Sequence, residues 1–179
     1  MNPLEHSGCA AAADVPWLDE TELRAWMSLL ALYLIGMPEL DRTFRPHGLV
    51  HIEYGVIAAL SNGPDDGLRL SDLASAMNMS ASRLSHRMRK LIDLGYVDVT
   101  GSTCDGRVSI ARITDAGRAF AERVAPEHVQ DVRRLLFDHL TPAQVSALAD
   151  ALSAVADHLG GCATRSAEKV SPPRDAEEE

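Results

Sequence analysis

Residues 69–118 read RLSDLASAMNMSASRLSHRMRKLIDLGYVDVTGSTCDGRVSIARITDAGR, and their order decides the fold. Ser71 opens a short helix carrying Leu73, Ala74 and Met77, and Asn78-Met79-Ser80 turns the chain into a second helix. Ser80 is a good N-cap, because its hydroxyl can accept from an amide the first turn leaves free, and Met79 faces Leu84 as a hydrophobic staple. In the second helix Leu84, Met88, Leu91 and Ile92 make one apolar stripe, while Ser82, Arg83, Ser85, His86, Arg87, Arg89 and Lys90 occupy the rest. Gly95 stands where a left-handed residue ends a helix. Tyr96-Val97-Asp98-Val99 and Val108-Ser109-Ile110 alternate as strands, and Gly101 through Gly106 suits the turn of a hairpin. Helix, turn, basic helix and hairpin form the layout of a winged helix-turn-helix, which puts its second helix into the DNA major groove.

Charge singles out the same stretch. The chain of 179 residues carries a formal net charge of −9, yet residues 69–118 alone sum to +3, against −7 before them and −5 after. Phosphates meet the local field of the docking face first, so a basic island in an acidic protein suggests a localised polyanion-binding surface rather than diffuse coating of nucleic acid.

Outside this stretch the pattern is helical. Asp19 and Glu22 have capping-box spacing, Leu18 and Leu23 can staple the entry, and the stripe Leu23, Trp26, Met27, Leu30, Leu34 follows until Pro38 bends or interrupts it. A second apolar helix covers roughly 51–60, with Ile52, Val56, Ile57 and Leu60 inward, ended by Asn62-Gly63-Pro64. Thr114-Asp115 opens a helix over about 116–138, with an irregularity expected at Pro126. Thr141-Pro142-Ala143-Gln144 is a strong helix start, stapled by Leu140 and Val145. The stripe Val145, Leu148, Leu152, Val155, Leu159 then has the spacing of a helix–helix seam. The terminal stripes are too long for a small winged domain to cover alone, so an obligate dimer is expected.

Composition narrows the function classes. Cys9, Cys104 and Cys162 are far apart and form no CxxC pair, which removes zinc-ribbon and thioredoxin-like readings; their odd number, with no signal-peptide pattern, points to a reducing cytoplasm. No run of about 18 apolar residues appears, so no membrane span is expected. A Gly-rich phosphate loop, a nucleophile elbow and an HExxH motif are all missing, so the chain is not read as an enzyme. His47, His51, His128, His139 and His158 show no ligand spacing with cysteine or carboxylate, and neither a metal nor another cofactor is expected.

Taken together, the chain resembles the MarR family of bacterial transcription regulators over roughly residues 17–160. The resemblance rests on Pro16 through Glu20; Tyr54 with Val56, Ile57 and Leu60; Leu70-Ser71-Asp72-Leu73-Ala74; Ser80 through His86; Leu94-Gly95-Tyr96-Val97; Asp105-Gly106-Arg107; and Ile113 through Gly117. The family's proline-containing wing tip is replaced here by Gly101-Ser102-Thr103-Cys104. The resemblance implies a homodimer whose N- and C-terminal helices interlock and hold two winged motifs across a palindrome. It also implies a small-molecule pocket between the dimer helices and the winged domain, for which Trp26, His51 and Tyr54 are candidates; plain core packing is the alternative for all three.

The expected architecture is mainly α with a small β-wing. Residues 1–16 are a flexible arm, 17–50 an N-terminal dimerisation helix, 51–115 the winged helix-turn-helix, 116–161 C-terminal dimerisation helices, and 162–179 a disordered tail. The expected partners are double-stranded DNA, a second copy of the chain and a small-molecule effector, but no membrane. Candidate DNA contacts are Ser80, Ser82, Arg83, Ser85, His86, Arg87, Arg89 and Lys90 on the recognition helix, with Asp105 and Arg107 on the wing. Early-helix residues are expected on base edges, and Arg87, Arg89 and Lys90 on phosphates. Asp105 either forms an ordinary turn ion pair with Arg107 or holds it extended toward the minor groove. The expected function is a promoter-bound repressor released by a small ligand. Its alternatives are a winged-helix protein–protein module without DNA binding, or a thiol switch through Cys104 or Cys9.

Overall fold

The computed structural model describes residues 15–101 and 109–159. The expectations for Cys9, Cys104, Asp105, Arg107, the tail and nearly all of the N-terminal arm lie outside these residues. The chain forms two compact units, residues 1–38 and 39–179.

In the first unit α1 (Glu20–Ala31) opens on the expected capping box. The Asp19 carboxylate accepts from the Glu22 amide at 2.8 Å, and the Glu22 carboxylate accepts from the Asp19 amide at 2.9 Å. One π-helical stretch, Leu32–Gly36, then leads into α2 (Met37–Phe44). Pro38 lacks the N–H that would bond to the Leu34 carbonyl, and its ring crowds that carbonyl, so the widened turn falls just before the proline rather than at it. No residue of α1 is buried, and Trp26 and Leu34 are 53% and 61% exposed. A continuous apolar run is one test for a membrane span, and the length and mean apolarity of a helix are another. By length and composition the helical run Glu20–His47 passes that test, with 11% of its most apolar window buried. The uncharged run between Arg24 and Glu39 is shorter than 18 residues, but a helix that tolerates a flanking charge is not.

The second unit contains the rest of α2, α3 (His51–Ser61), β1 (Leu68–Arg69), α4 (Leu70–Ala76), α5 (Ala81–Asp93), β2 (Val97–Gly101), β3 (Ser109–Ile113), α6 (Asp115–Leu135) and α7 (Pro142–His158). Its sheet is antiparallel with order β1-β3-β2, so the expected two-stranded hairpin is a three-stranded wing. Leu68 pairs with Ala111 and Arg69 with Ile110, while Val97 through Gly101 run opposite Ile113 through Ser109. Gly67 makes this entry possible: at φ +90° it lies against the Ala111 carbonyl, where a side chain would collide. Pairing at Leu68–Arg69 carries the chain into α4 one residue before Ser71. The N-cap is therefore Arg69, without a side-chain cap, and the Ser71 hydroxyl bonds to the Asp72 carboxylate at 3.1 Å instead.

The core lies where α3, α4, α5 and α6 meet the sheet. Phe44, Leu49, Val56, Ile57, Leu73, Leu84, Leu91, Val97 and Phe120 are its largest fully buried side chains. Each contributes roughly 1.5–3 kcal/mol by leaving water. Two stacked pairs, Phe44 on Tyr54 at 4.6 Å and Tyr96 on Phe120 at 4.7 Å, join α2 to α3 and the residue before β2 to α6. Ile92, expected in the α5 stripe, is 40% exposed; Leu84, Met88 and Leu91 make that stripe alone. Ile52 is only half-buried. No break occurs at Pro126, where α6 runs unbroken to Leu135. Glu122 and Pro126 both face solvent, so the carbonyl left without its helical partner meets water. The Thr141–Gln144 capping box opens α7 as expected, and α7 has no buried residue.

Candidate nucleic-acid interface

Helix α5 is positioned from both ends. The Ser80 hydroxyl accepts from the Arg83 amide at 3.4 Å, and Met79 N–H donates to the Ala74 carbonyl at 2.8 Å, closing the turn through Asn78 at φ 49°. At the other end Gly95, at φ 73°, and Thr114 lock the exit, the Thr114 hydroxyl donating to the Gly95 carbonyl at 2.6 Å. Leu84, Met88 and Leu91 turn to the core. Helical periodicity then points Ser82, Ser85, His86 and Arg89 the opposite way, and all four are exposed. Ser80 and Arg83, at the N-terminal end, are exposed too. Among the described residues no ion pair engages Arg83 or Arg89.

Arg87 and Lys90 occupy a flank instead. Both reach the carboxylate of Glu53, Arg87 Nη1 at 3.3 Å from Oε1 and Lys90 Nζ at 2.8 Å from Oε2. The Glu53 side chain is 6% exposed, and its Oε2 also accepts from the Val50 amide at 3.1 Å, so a buried charge is held by two cations and a helix-start N–H. Sequence reading missed Glu53, because a glutamate in the first turn of a helix ordinarily serves the cap alone. Arg112 was also missed: from β3 it donates to the Thr100 hydroxyl at 2.7 Å on the exposed side of the wing. Where α4, α5 and β3 converge, a surface cleft is lined by Arg69, Ser71, Ser85 and Ser109 among others.

A second feature gathers His51 and Tyr54 with Phe44 and His128. The His128 centroid lies 5.2 Å from that of His51, 5.1 Å from Tyr54 and 5.5 Å from Phe44. Asp41 accepts from the His51 backbone amide at 2.7 Å. Asp131 accepts from the Thr43 hydroxyl and, at 2.6 Å, from Arg134. Burial lowers the pKa of His51, with Asp41 opposing. For His128 burial again comes first, the charge of His51 lowers it further, and Asp131 opposes. Burial raises the Tyr54 hydroxyl. Among the described residues, His128 Nδ1 is buried without a hydrogen-bond partner. Trp26, the third expected pocket residue, lies on the exposed α1 in the first unit. No group of three or more His, Cys, Asp or Glu suited to a metal occurs among the described residues.

Comparison with known proteins agrees with this architecture. The model of the MarR family matches residues 47–108, from the end of α2 to the wing. AbsC of Streptomyces coelicolor, a MarR family transcriptional regulator, is 35% identical, with 82% of this chain and 99% of AbsC covered at a TM-score of 0.76. Sco3205 of the same organism, a MarR family transcriptional regulator solved in complex with DNA, is 34% identical, with 82% and 92% covered at a TM-score of 0.77. The HTH-type transcriptional regulator PecS of Dickeya dadantii (strain 3937) is 27% identical over 122 residues, 68% of this chain and 74% of PecS. With a winged helix-turn-helix of this order and relatives matched over nearly their whole length, the chain belongs to the MarR family of transcriptional regulators.

Proposed function

We propose that the protein is a homodimeric repressor that binds a palindromic promoter site in the cytoplasm and is released by a small ligand. The observation that carries DNA binding is the outward face of α5, where Ser80, Ser82, Arg83, Ser85, His86 and Arg89 are all exposed on a helix capped and locked at both ends. Serine hydroxyls and arginine forks are the donors and acceptors that read base edges and grip phosphates. Sco3205, solved with DNA, supports the same role by likeness. Asp105 and Arg107 are proposed as further DNA contacts on the sequence alone. Division of labour follows the sequence reading, with 51–115 docking on DNA and the flanking helices, 17–50 and 116–161, forming the dimer. Its support is the apolar surface of α1 and α7, which neither helix buries in a single chain. An effector would lodge against His51 and Tyr54 beside His128.

The test is a gel shift on the DNA upstream of the protein's own coding sequence, at two salt concentrations. The reading expects specific, salt-sensitive binding to a palindrome whose half-site centres lie about 10–10.5 base pairs apart. Inserting about five base pairs between the half-sites would turn one of them to the far side of the duplex and should abolish that binding. Undiminished affinity after the insertion, or binding no tighter than to random DNA, overturns the reading.

A further inference from the structure

Arg87 and Lys90 belong to the recognition helix by position and to Glu53 by contact. They sit at i and i+3 on the flank of α5 that faces α3, and their side chains are 32% and 41% exposed, against 6% for Glu53. A carboxylate so far out of water holds its cations strongly, because removing either partner leaves a charge in a low-dielectric site. Arg83 and Arg89 make no such pair among the described residues and are exposed.

We propose that Glu53 withholds Arg87 and Lys90 from phosphate contact and uses them to set the seat of the recognition helix on α3. Glu53 is then a positioning residue for DNA recognition. The inference rests on the DNA-binding reading above and adds a division within it. Arg83 and Arg89 meet DNA, whereas Arg87 and Lys90 are internal braces. Three charges so arranged leave only one net positive charge on that flank, which keeps sequence-independent attraction low. Specific contacts from the outward face then make up a larger share of binding.

Salt dependence measures this directly, since each phosphate neutralised by a cation steepens log K against log salt by about 0.9. The probe is a fluorescent random-sequence duplex of about 30 base pairs, titrated with full-length protein between about 50 and about 200 mM salt. Glu53→Gln keeps an acceptor for the Val50 amide but drops the charge that holds the two cations. It should bind the random duplex more tightly, by roughly tenfold for each cation released, and steepen the slope by about one to two per protomer. Adding Arg87→Ala and Lys90→Ala to Glu53→Gln should return the slope to the wild-type value, a reversal that mere loosening of the fold would not produce. In the otherwise wild-type chain, Arg87→Ala and Lys90→Ala should lower the melting temperature without flattening the slope, whereas Arg89→Ala should flatten it by about one per protomer.

The inference is overturned if Arg87→Ala or Lys90→Ala flattens the wild-type slope as Arg89→Ala does, or if folded Glu53→Gln binds the random duplex with the wild-type slope. If Glu53→Gln does not fold, the two single alanine variants still decide the matter. Wild type that binds no duplex at any salt would fail the DNA-binding reading itself, an outcome distinct from wrong slopes in a protein that binds.

Discussion

His51 and His128 face each other with ring centroids 5.2 Å apart, one from the first turn of α3 and one from the middle of α6. Phe44 and Tyr54 flank the pair, and the nearby charges are those of Asp41 and Asp131, the latter bound to Arg134. Both histidines have pKa values lowered below 6.5, by burial first and, for His128, also by repulsion from His51. The folded protein therefore binds fewer protons than the unfolded chain between those lowered values and 6.5. Stability from the pair is complete above pH 6.5 and is lost as pH falls through 6.5 toward the folded values. Thermal melts from about pH 8 down to about pH 5 should show a fall below pH 6.5 that His128→Phe flattens. An equal fall in that variant would remove the pair as its cause.

Gly117 packs onto the backbone of Tyr96, and a Cβ at 117 would collide with the Tyr96 carbonyl oxygen. That oxygen accepts from Thr114 N–H at 3.0 Å, so neither side can give way without loosening the joint between wing and α6. Gly117→Ala should destabilise by roughly 1–3 kcal/mol, as overpacking does in a tight core. A denaturant melt with an unchanged midpoint would contradict this close approach.

Leu152 and Val155 on α7 are 44% and 55% exposed in the single chain. Replacing both with Glu should abolish self-association, because the damage falls where the proposed second copy docks. Light scattering should then report about 19.3 kDa in place of twice that mass. A variant that remains dimeric would take this stretch of α7 out of the interface.

Arg83 and Arg89 should fail differently. Arg83, just after the cap, is proposed to meet a guanine edge, and losing a bidentate base contact costs about 1–3 kcal/mol and relaxes preference at one position per half-site. Arg89, two turns on, should weaken binding to every sequence alike and flatten the salt slope. Affinities for the operator and its single-base variants at several salt concentrations separate the two. Indistinguishable profiles would mean that α5 lies in the groove at another angle.

Local chemistry was readable in the chain, and long-range pairing was not. The caps at Asp19, Ser80, Thr114 and Thr141 reach only three residues, so residue type and spacing were enough. The stripe Leu84, Met88, Leu91 was legible because burial follows helical period, whereas Ile92 lies at the edge of that stripe, where tertiary neighbours decide. β1 escaped notice because two residues carry no alternation and their pairing exists only once β3 is in place. Glu53 is 34 residues from Arg87 and 37 from Lys90, and nothing between them signals the meeting. Separation in sequence likewise hid His128 from His51, so the four-ring cluster around that candidate pocket residue was not foreseen.

Glu53 and Tyr54 are consecutive residues in the first turn of α3, one gripping the recognition helix and the other closing the aromatic cluster. A compound that shifts Tyr54 and with it the seat of Glu53 would couple the two surfaces. Linkage makes that coupling symmetric: whatever a compound seated against Tyr54 subtracts from operator affinity, the operator subtracts from affinity for the compound. A compound that binds the free and the DNA-loaded protein equally well, however tightly, would leave the promoter occupied. On the proposed reading, candidate inducers should therefore be ranked by the ratio of those two affinities, and the tightest binder to the free protein need not come first.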